Sequence, residues 1–186
     1  AALAGMRDQP SLRVVPPYYA EPVYIEALAH SIETALKALA FTPELILASF
    51  HGIPKQYLLE GDPYHCFCLA TARGVAEQLQ LPREDWSVAF QSRLGTQEWL
   101  RPYTDEVLKA YAAKGPKRVH VICPGFATDC LETLEEIQGE GRETFLEAGG
   151  VFEKDFIDSY IELKMAEVIR FEHTPHPVEF EMYYSV

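Results

Sequence analysis

A histidine stands where acid–base chemistry could take place. His51 follows the apolar run 45–50 and is followed by Gly52 and then Pro54, so a rigid turn could hold its ring in a cleft. A neutral imidazole can accept a proton from a nitrogen acid or bind a metal ion. The alternative is a histidine that only ties down a loop through hydrogen bonds, and the sequence pattern leaves both interpretations open.

Three glutamates, Glu132, Glu136 and Glu140, follow one another at intervals of four. On a helix this interval lines their carboxylates along one side, where they raise one another's proton affinity and attract a divalent cation. The alternative is a solvated acidic face, with Glu132 closing a capping box with Asp129. Because this helix begins at the sheet edge where His51 is predicted to lie, we expect the carboxylates and the imidazole to converge.

The four cysteines suggest no metal centre. Cys66 and Cys68 stand beside His65, but their spacing matches no common zinc or iron–sulfur pattern. With no secretion signal recognisable, Cys123, Cys130 and the other two are predicted to be reduced thiols in the cytoplasm.

Alternating helices and apolar strands would position these side chains. Short apolar runs predict strands at 45–50, 86–91 and 118–123. Helices are predicted over 22–40 and from Asp62-Pro63, Pro102 and Asp129. This order indicates an α/β fold, a doubly wound parallel sheet flanked by helices, with ligands beyond the carboxyl ends of the strands. Gln91, Ser92 and Arg93 could reach that edge, and Trp99 could either wall a cleft or belong to the core.

The net charge restricts the partners. A formal charge of −12 over 186 residues disfavours nucleic acid and anionic membranes, so we expect no nucleic-acid partner and at most peripheral membrane contact. No apolar run approaches the roughly 18 residues of a bilayer span. No glycine-rich nucleotide-binding motif occurs.

Several segments over about residues 5–148 resemble, in order, the C-terminal half of ferrochelatases. They are SFHGIP at 49–54, GDPYHC at 61–66, TAR at 71–73, FQSR at 90–93, Trp99 with PYTD at 102–105, CPGF at 123–126 and DCLETL at 129–134. The resemblance implies a fold of two similar halves around a porphyrin cleft, and a lyase that inserts ferrous iron into protoporphyrin IX in haem biosynthesis.

The resemblance also assigns roles to single residues. The family's cleft histidine falls on His51 and its cleft glutamate on Glu132, which implies that these two are catalytic. The family's acidic ladder falls on Glu136 and Glu140, so all four side chains are predicted metal ligands. No tightly bound cofactor is implied, because ferrous iron is the substrate, although the ladder could hold a divalent ion. The family's N-terminal half has no counterpart in this sequence.

From about residue 145 onward the sequence resembles the extreme C-terminus of bacterial glutamine synthetases. The matching runs are FLEAGGVF at 145–152, IDSYI at 157–161 and HTPHPVEFEMYYSV at 173–186. The resemblance implies a chimera, with a ferrochelatase-like domain at 1–148 and a helix–strand tail at 149–186 that assembles subunits without synthetase activity. The alternating run 178–184 is predicted to replace a missing edge strand of the sheet.

Three functions therefore stay open. The chain could retain metal–porphyrin chemistry in part, or it could complete its cleft as a homodimer. It could instead be a non-catalytic assembly module that docks through its tail.

Overall fold

The structure, a computed structural model, describes residues 5, 7, 14–39, 41–114 and 118–150. Its strands are β1 (Leu45–His51), β2 (Trp86–Gln91) and β3 (Val119–Ile122). Its α-helices are α1 (Pro22–Ala38), α2 (Lys55–Leu59), α3 (Tyr64–Gln78), α4 (Thr104–Ala112) and α5 (Arg142–Glu147). A 3₁₀ turn at Arg83–Asp85 precedes β2, and a π-helix at Glu132–Gly141 runs directly into α5.

The three strands form a parallel sheet in the order β2-β1-β3. From β1 the chain crosses to one side to form β2, and then returns past β1 to form β3 on the other side. In open α/β sheets such a reversal leaves a crevice at the carboxyl ends of the strands, where ligands bind. His51, the last residue of β1, lies at this point.

Helices cover both faces of the sheet. On one face α1 and α3 pack on alternate β1 side chains, Ile46, Ala48 and Phe50. On the other face α4, the π-helix and α5 pack on Leu45 and Leu47. Every residue from Leu45 to Phe50 is buried, as expected of a central parallel strand covered on both sides. The predicted doubly wound α/β fold is therefore confirmed for the described residues.

Sequence periodicity located the strands well and the helix starts less well. All three predicted strands are confirmed, each within a residue of its predicted ends. The helix predicted from Pro102 begins at Thr104, because Pro102 accepts a hydrogen bond from the Phe90 amide and Tyr103 is extended beside β2. The helix predicted from Asp62-Pro63 begins at Tyr64, whose amide is capped by the Asp62 carboxylate at 2.8 Å.

The acidic helix starts later than the predicted Asp129, and it lacks the capping box that belonged to the alternative interpretation of a solvated acidic face. The π-helix begins at Glu132, and the preceding turn is closed by Thr133, whose hydroxyl donates to the Asp129 carboxylate at 3.0 Å. The Cys130 amide in turn donates to the Thr133 hydroxyl. Thr133 therefore closes the turn before the helix, a role that the alternative interpretation gave to Glu132. The Glu132 side chain is left available for other contacts.

The predicted tail, 149–186, lies almost wholly outside the described residues, which end at residue 150. Its helix, its strand at 178–184 and the domain boundary at 148 therefore stay predictions.

Candidate functional site

His51 occupies the carboxyl end of the central strand between two aromatic rings. Its ring centroid lies 6.5 Å from that of Trp99 and 6.2 Å from that of Phe126. The Tyr64 hydroxyl donates to the His51 carbonyl oxygen at 2.9 Å, which ties the first turn of α3 to the end of β1. The half-buried imidazole is thus held at the crevice by β1, α3 and two loops.

The His51 ring nitrogens differ in their roles. Nδ1 lies 2.6 Å from the Gly52 carbonyl oxygen. A carbonyl oxygen can only accept a hydrogen bond, so Nδ1 must carry the hydrogen, and in the neutral ring Nε2 keeps the lone pair. His51 is therefore set up as a base or ligand through Nε2.

Gly52 permits a close approach between β1 and β2. Its amide donates to the Gln91 carbonyl oxygen at 2.8 Å. A Cβ at this position would stand 2.8 Å from that oxygen and 3.3 Å from the Trp99 ring. Only glycine fits here without moving the backbone of β2, and the turn after His51 depends on it.

Trp99 is fixed by the loop between β2 and α4. Its indole Nε1 donates to the Leu94 carbonyl at 2.9 Å, and its amide donates to the Tyr103 hydroxyl at 3.3 Å. The guanidinium groups of Arg93 and Arg101 each lie 4.2 Å from the centre of the Tyr103 ring, a cation–π arrangement that anchors the loop. Of the two interpretations of Trp99, a wall beside His51 fits this geometry.

Glu132 opens the π-helix and interacts electrostatically with His51. A hydrogen bond from the Cys130 thiol is the largest cause that lowers the pKa of the Glu132 carboxyl, followed by its own backbone amide. The His51 ring lowers that pKa further, while burial opposes these effects. Glu132 is therefore a carboxylate at neutral pH, and His51 is among the groups that favour its charge.

Glu136 is held by the end of β2. Its carboxylate accepts hydrogen bonds from the Ser92 amide, from the Ser92 hydroxyl at 2.7 Å and from Gln91 Nε2 at 3.4 Å. Ser92 adopts a left-handed conformation, with φ of 65°, which lets its amide and hydroxyl donate to the same carboxylate. Glu136 thus has a defined position, as a ligand or relay group requires.

Glu140 lies farther along the π-helix and is exposed. With Glu136 it lines a polar pocket of about 240 Å³ between β2, the start of α4 and the π-helix. Other walls of this pocket are Ser92, Asp105 and Thr144. The three predicted glutamates therefore follow one another along the π-helix, Glu132 at its beginning and Glu136 and Glu140 beside the pocket, while His51 stands at the end of β1.

The four predicted metal ligands do not form a compact metal centre. Within the described residues, no three histidine, cysteine, aspartate or glutamate side chains stand close enough to hold one metal ion together. All four cysteines are free thiols in the structure, and burial raises the pKa of the Cys68 thiol to about 11 and that of Cys123 to about 12. Both buried thiols are therefore protonated at neutral pH.

Several contacts in the site could not be read from the sequence. Tyr64 was interpreted only as part of a helix start, yet its hydroxyl binds the His51 carbonyl across a separation of 13 residues. Buried Ser49 and Thr104 also reach the site, through Gln91. Ser49 carried a signal as a polar residue within the apolar run 45–50, since a polar group buried in a core must find a hydrogen-bond partner. Thr104, which is followed by Asp105 and Glu106, carried no such signal.

The site falls within a region that matches known proteins. A family model described as Ferrochelatase matches residues 1–156. The chain belongs to the ferrochelatase family. Proteins named ferrochelatase from Allorhizobium ampelinum and Rhizobium meliloti are 58% and 56% identical to it over 149 residues, which is 80% of this chain. A third, from Methylocella silvestris, is 54% identical over the same length.

The match covers less than half of those relatives. The chain spans 43% of the Allorhizobium ferrochelatase and 44% of the Rhizobium ferrochelatase. The glutamine-synthetase-like tail, the chimeric origin and the assembly module gain no support from these comparisons. No helix in the described part of this ferrochelatase-family chain is long and apolar enough to cross a bilayer.

Proposed function

We propose that this chain forms one wall of a site that inserts ferrous iron, as substrate, into protoporphyrin IX in haem biosynthesis. The observation that carries the proposal is the arrangement at the carboxyl end of β1, where His51 presents Nε2 and Glu132 interacts with its ring. This arrangement lies within the 1–156 segment that matches the ferrochelatase family.

His51 and Glu132 would act as a pair. Metal insertion requires the two pyrrole N–H protons to leave, and a neutral imidazole can accept a proton through Nε2. The Glu132 carboxylate would stabilise the imidazolium that forms, because an opposite charge nearby favours the charged state. Proton acceptance by His51 is thus the catalytic role proposed for it, with Glu132 as its electrostatic partner.

The surroundings suit a flat apolar ligand. Trp99 and Phe126 flank His51, and Leu131 and Leu134, beside Glu132, are exposed by 65% and 46%. Aromatic and aliphatic surfaces of this kind can pack against a macrocycle and hold it bent, so that its nitrogen lone pairs face the metal. We propose that these four side chains contact the porphyrin.

Glu136 and Glu140 would connect the site with solvent. Carboxylates one turn apart can pass a hard divalent ion inward or protons outward, and can bind such an ion on the way. Glu136, which Ser92 and Gln91 hold in place, would bind the ion or proton nearer the site, and exposed Glu140 would bind it nearer the solvent. His51 and Glu132 would complete the set of ligands that meet the metal in succession.

A porphyrin site of this kind needs a second wall. The chain spans less than half of its relatives, so the opposite wall would come either from the part of a ferrochelatase that this chain does not match or from a second copy of the chain. With the first source, the insertion rate should depend on addition of the unmatched part; with the second, it should depend on the concentration of the chain itself.

The test is metal insertion measured without oxygen. The full chain is mixed with protoporphyrin IX and ferrous iron, or Zn²⁺ in parallel, with and without the unmatched half of the Allorhizobium protein, and porphyrin fluorescence is followed. His51→Ala and Glu132→Gln are compared with His30→Ala, which changes an exposed histidine on α1. We expect insertion that both site variants reduce at least about tenfold and the control leaves intact.

The source of the second wall follows from the same data. A rate that depends on the added half supports a complementary chain, whereas a rate that rises with the square of chain concentration supports a homodimer. Porphyrin that neither binds nor becomes metallated under any of these conditions would contradict the proposed function.

A further inference from the structure

We infer that Gln91 is a positioning residue, which fixes the start of the π-helix to the sheet and so sets where the Glu132 and Glu136 carboxylates stand relative to His51. The consequence for metal handling rests on the proposed function, whereas the attachment itself does not. Gln91 is the last residue of β2 and only 4% exposed, so its side chain works inside the fold.

Every hydrogen-bonding capacity of the Gln91 amide is used. Its Oε1 accepts from the Ser49 hydroxyl at 2.7 Å and from the Cys123 thiol at 3.7 Å. Its Nε2 donates to the Glu132 backbone carbonyl at 2.7 Å and to the Glu136 carboxylate at 3.4 Å. An amide has two acceptor and two donor positions, so this side chain is fully satisfied. It joins β1, β2 and the end of β3 to the first turn of the π-helix.

The network also fixes which way the amide points. Ser49 gives its one hydroxyl hydrogen to Gln91, so the Thr104 hydroxyl, 2.7 Å away, must donate to Ser49. Hydrogen bonds then run in one direction, from Thr104 at the start of α4 through Ser49 and Gln91 to Glu132. A flipped amide would set the Gln91 side-chain oxygen against the Glu132 carbonyl and the Glu136 carboxylate, which can only accept hydrogen bonds.

The partners of Gln91 distinguish positioning from plain core packing. In a π-helix, bonds run from each carbonyl to the amide five residues on, so the Glu132 carbonyl would normally serve Ile137 alone. Gln91 adds a bond to that same carbonyl from the sheet, and its second hydrogen meets the next carboxylate of the series. A core residue of similar size, such as methionine, could fill the space but could do neither.

The test measures local opening and ion binding in the full chain. Gln91→Met removes the whole network, and the shorter Gln91→Asn keeps an amide that cannot span the distance to Glu132. Gln138→Met changes an exposed glutamine on the π-helix itself. Val75→Ala destabilises the buried core on the α3 side, away from the site, and controls for lost stability. Amide hydrogen exchange and the Kd for Mn²⁺, without porphyrin, are measured for each.

We expect both Gln91 variants to speed exchange in residues 132–137 roughly tenfold relative to β1, and to weaken Mn²⁺ binding by a similar factor. Val75→Ala and Gln138→Met should change neither the exchange rate of 132–137 relative to β1 nor the Kd for Mn²⁺. Unaltered exchange in 132–137, or a rise no larger than in β1, would overturn the attachment.

Local opening with an unchanged Mn²⁺ Kd would overturn the positioning role and leave Gln91 a structural anchor. If the unsubstituted chain binds no Mn²⁺, that result counts against the proposed metal path, and the exchange data alone decide whether Gln91 holds the helix.

Discussion

Among single side chains, His51 and Glu132 owe their chemistry to their closest neighbours. Gly52 supplies the carbonyl that orients the imidazole, and the Cys130 thiol is the largest of the causes that lower the pKa of the Glu132 carboxyl. Neither neighbour belongs to the residues that the sequence singled out as reactive. The sequence could suggest these two groups as candidates, but the contacts that orient the imidazole and lower the pKa of the Glu132 carboxyl form only in the folded chain.

The bond between Cys130 and Glu132 predicts a reactive thiol when the carboxylate is removed. Burial and the Glu132 carboxylate, which accepts a bond from the neutral thiol, both raise the pKa of Cys130. Glu132→Gln removes the charge, so the thiol pKa should fall and the thiolate fraction at pH 8 should rise. We expect Cys130 to be alkylated by iodoacetamide roughly threefold faster, as measured by peptide mass spectrometry.

The alkylation measurement has two controls. Exposed Cys66 in the same sample should react at an unchanged rate, and Glu135→Gln, an exposed charge removed from the same turn, should alter Cys130 little. Equal Cys130 rates with and without the Glu132 carboxylate would mean that the hydrogen bond is absent in solution.

Gly52 carries the second prediction for a single position. Gly52→Ala places a methyl group 2.8 Å from the Gln91 backbone oxygen, which cannot move without breaking the pairing of β1 with β2. We expect the free energy of unfolding in urea to fall by about 2 kcal/mol. Gly139→Ala is the control, because its nearest neighbouring atom lies at 3.7 Å, and alanine within a helix should leave the stability unchanged or raise it by up to about 1 kcal/mol.

At the level of secondary structure, the acidic side of the helix could be predicted from the sequence, but the type of helix could not. The interval of four among Glu132, Glu136 and Glu140 predicts one acidic side on any helix, and the structure has such a helix. The interval fits an α-helix and a π-helix almost equally well, so it could not distinguish them. We attribute the difference to tertiary contacts, since Gln91 and Ser92 attach this helix to β2.

Other elements escaped prediction for related reasons. The five-residue α2 is too short for a periodic pattern, and it has no buried residue to mark a face. The starts of α3 and α4 shifted because a local cap at Asp62 and a backbone bond between Phe90 and Pro102 set them. By contrast, the strands were predictable because both of their faces are buried, which leaves a continuous apolar run in the sequence.

The junction between β2 and the π-helix predicts an unusual order of stabilities. Ser92→Ala removes the hydroxyl bond to Glu136 and keeps a side chain at a φ of 65°, so it should cost about 1.5 kcal/mol. Ser92→Gly removes the same bond but relieves the left-handed strain, so it should be more stable than the alanine variant by about 0.5–1 kcal/mol. Urea unfolding of the two variants measures the difference, and an alanine variant as stable as the glycine variant would contradict it.

At the scale of the whole described domain, the sheet lies between two layers of helices and packs against both. β1 contributes alternate side chains to the cluster under α1 and α3 and to the cluster under α4 and α5. Phe145 of α5 is fully buried in the second cluster, so the fold extends through the segment where the two resemblances meet. The boundary predicted at 148 therefore follows directly on the last helix that the structure describes.

The β3 side of the sheet supplies a test of the tail. Within the described residues β3 pairs with β1 alone, although all four of its residues are buried. The sequence predicts that 178–184 replaces a missing edge strand of the sheet, since an uncovered edge is prone to pair with other chains. If this strand joins the sheet beside β3, it covers that edge. Deleting 151–186 should then lower the free energy of unfolding by about 2 kcal/mol or more and speed hydrogen exchange in Val119–Ile122.

A single substitution separates strand pairing from other effects of the deletion. Phe180→Pro in the full chain removes an amide and cannot continue a paired strand, so it should reproduce most of the loss and the faster exchange in β3. If the deletion and Phe180→Pro both leave stability and β3 exchange unchanged, the edge-strand hypothesis is wrong. Residues 1–150 would then hold all the contacts that stabilise β3, and the tail would have to be explained by something other than the fold of this domain.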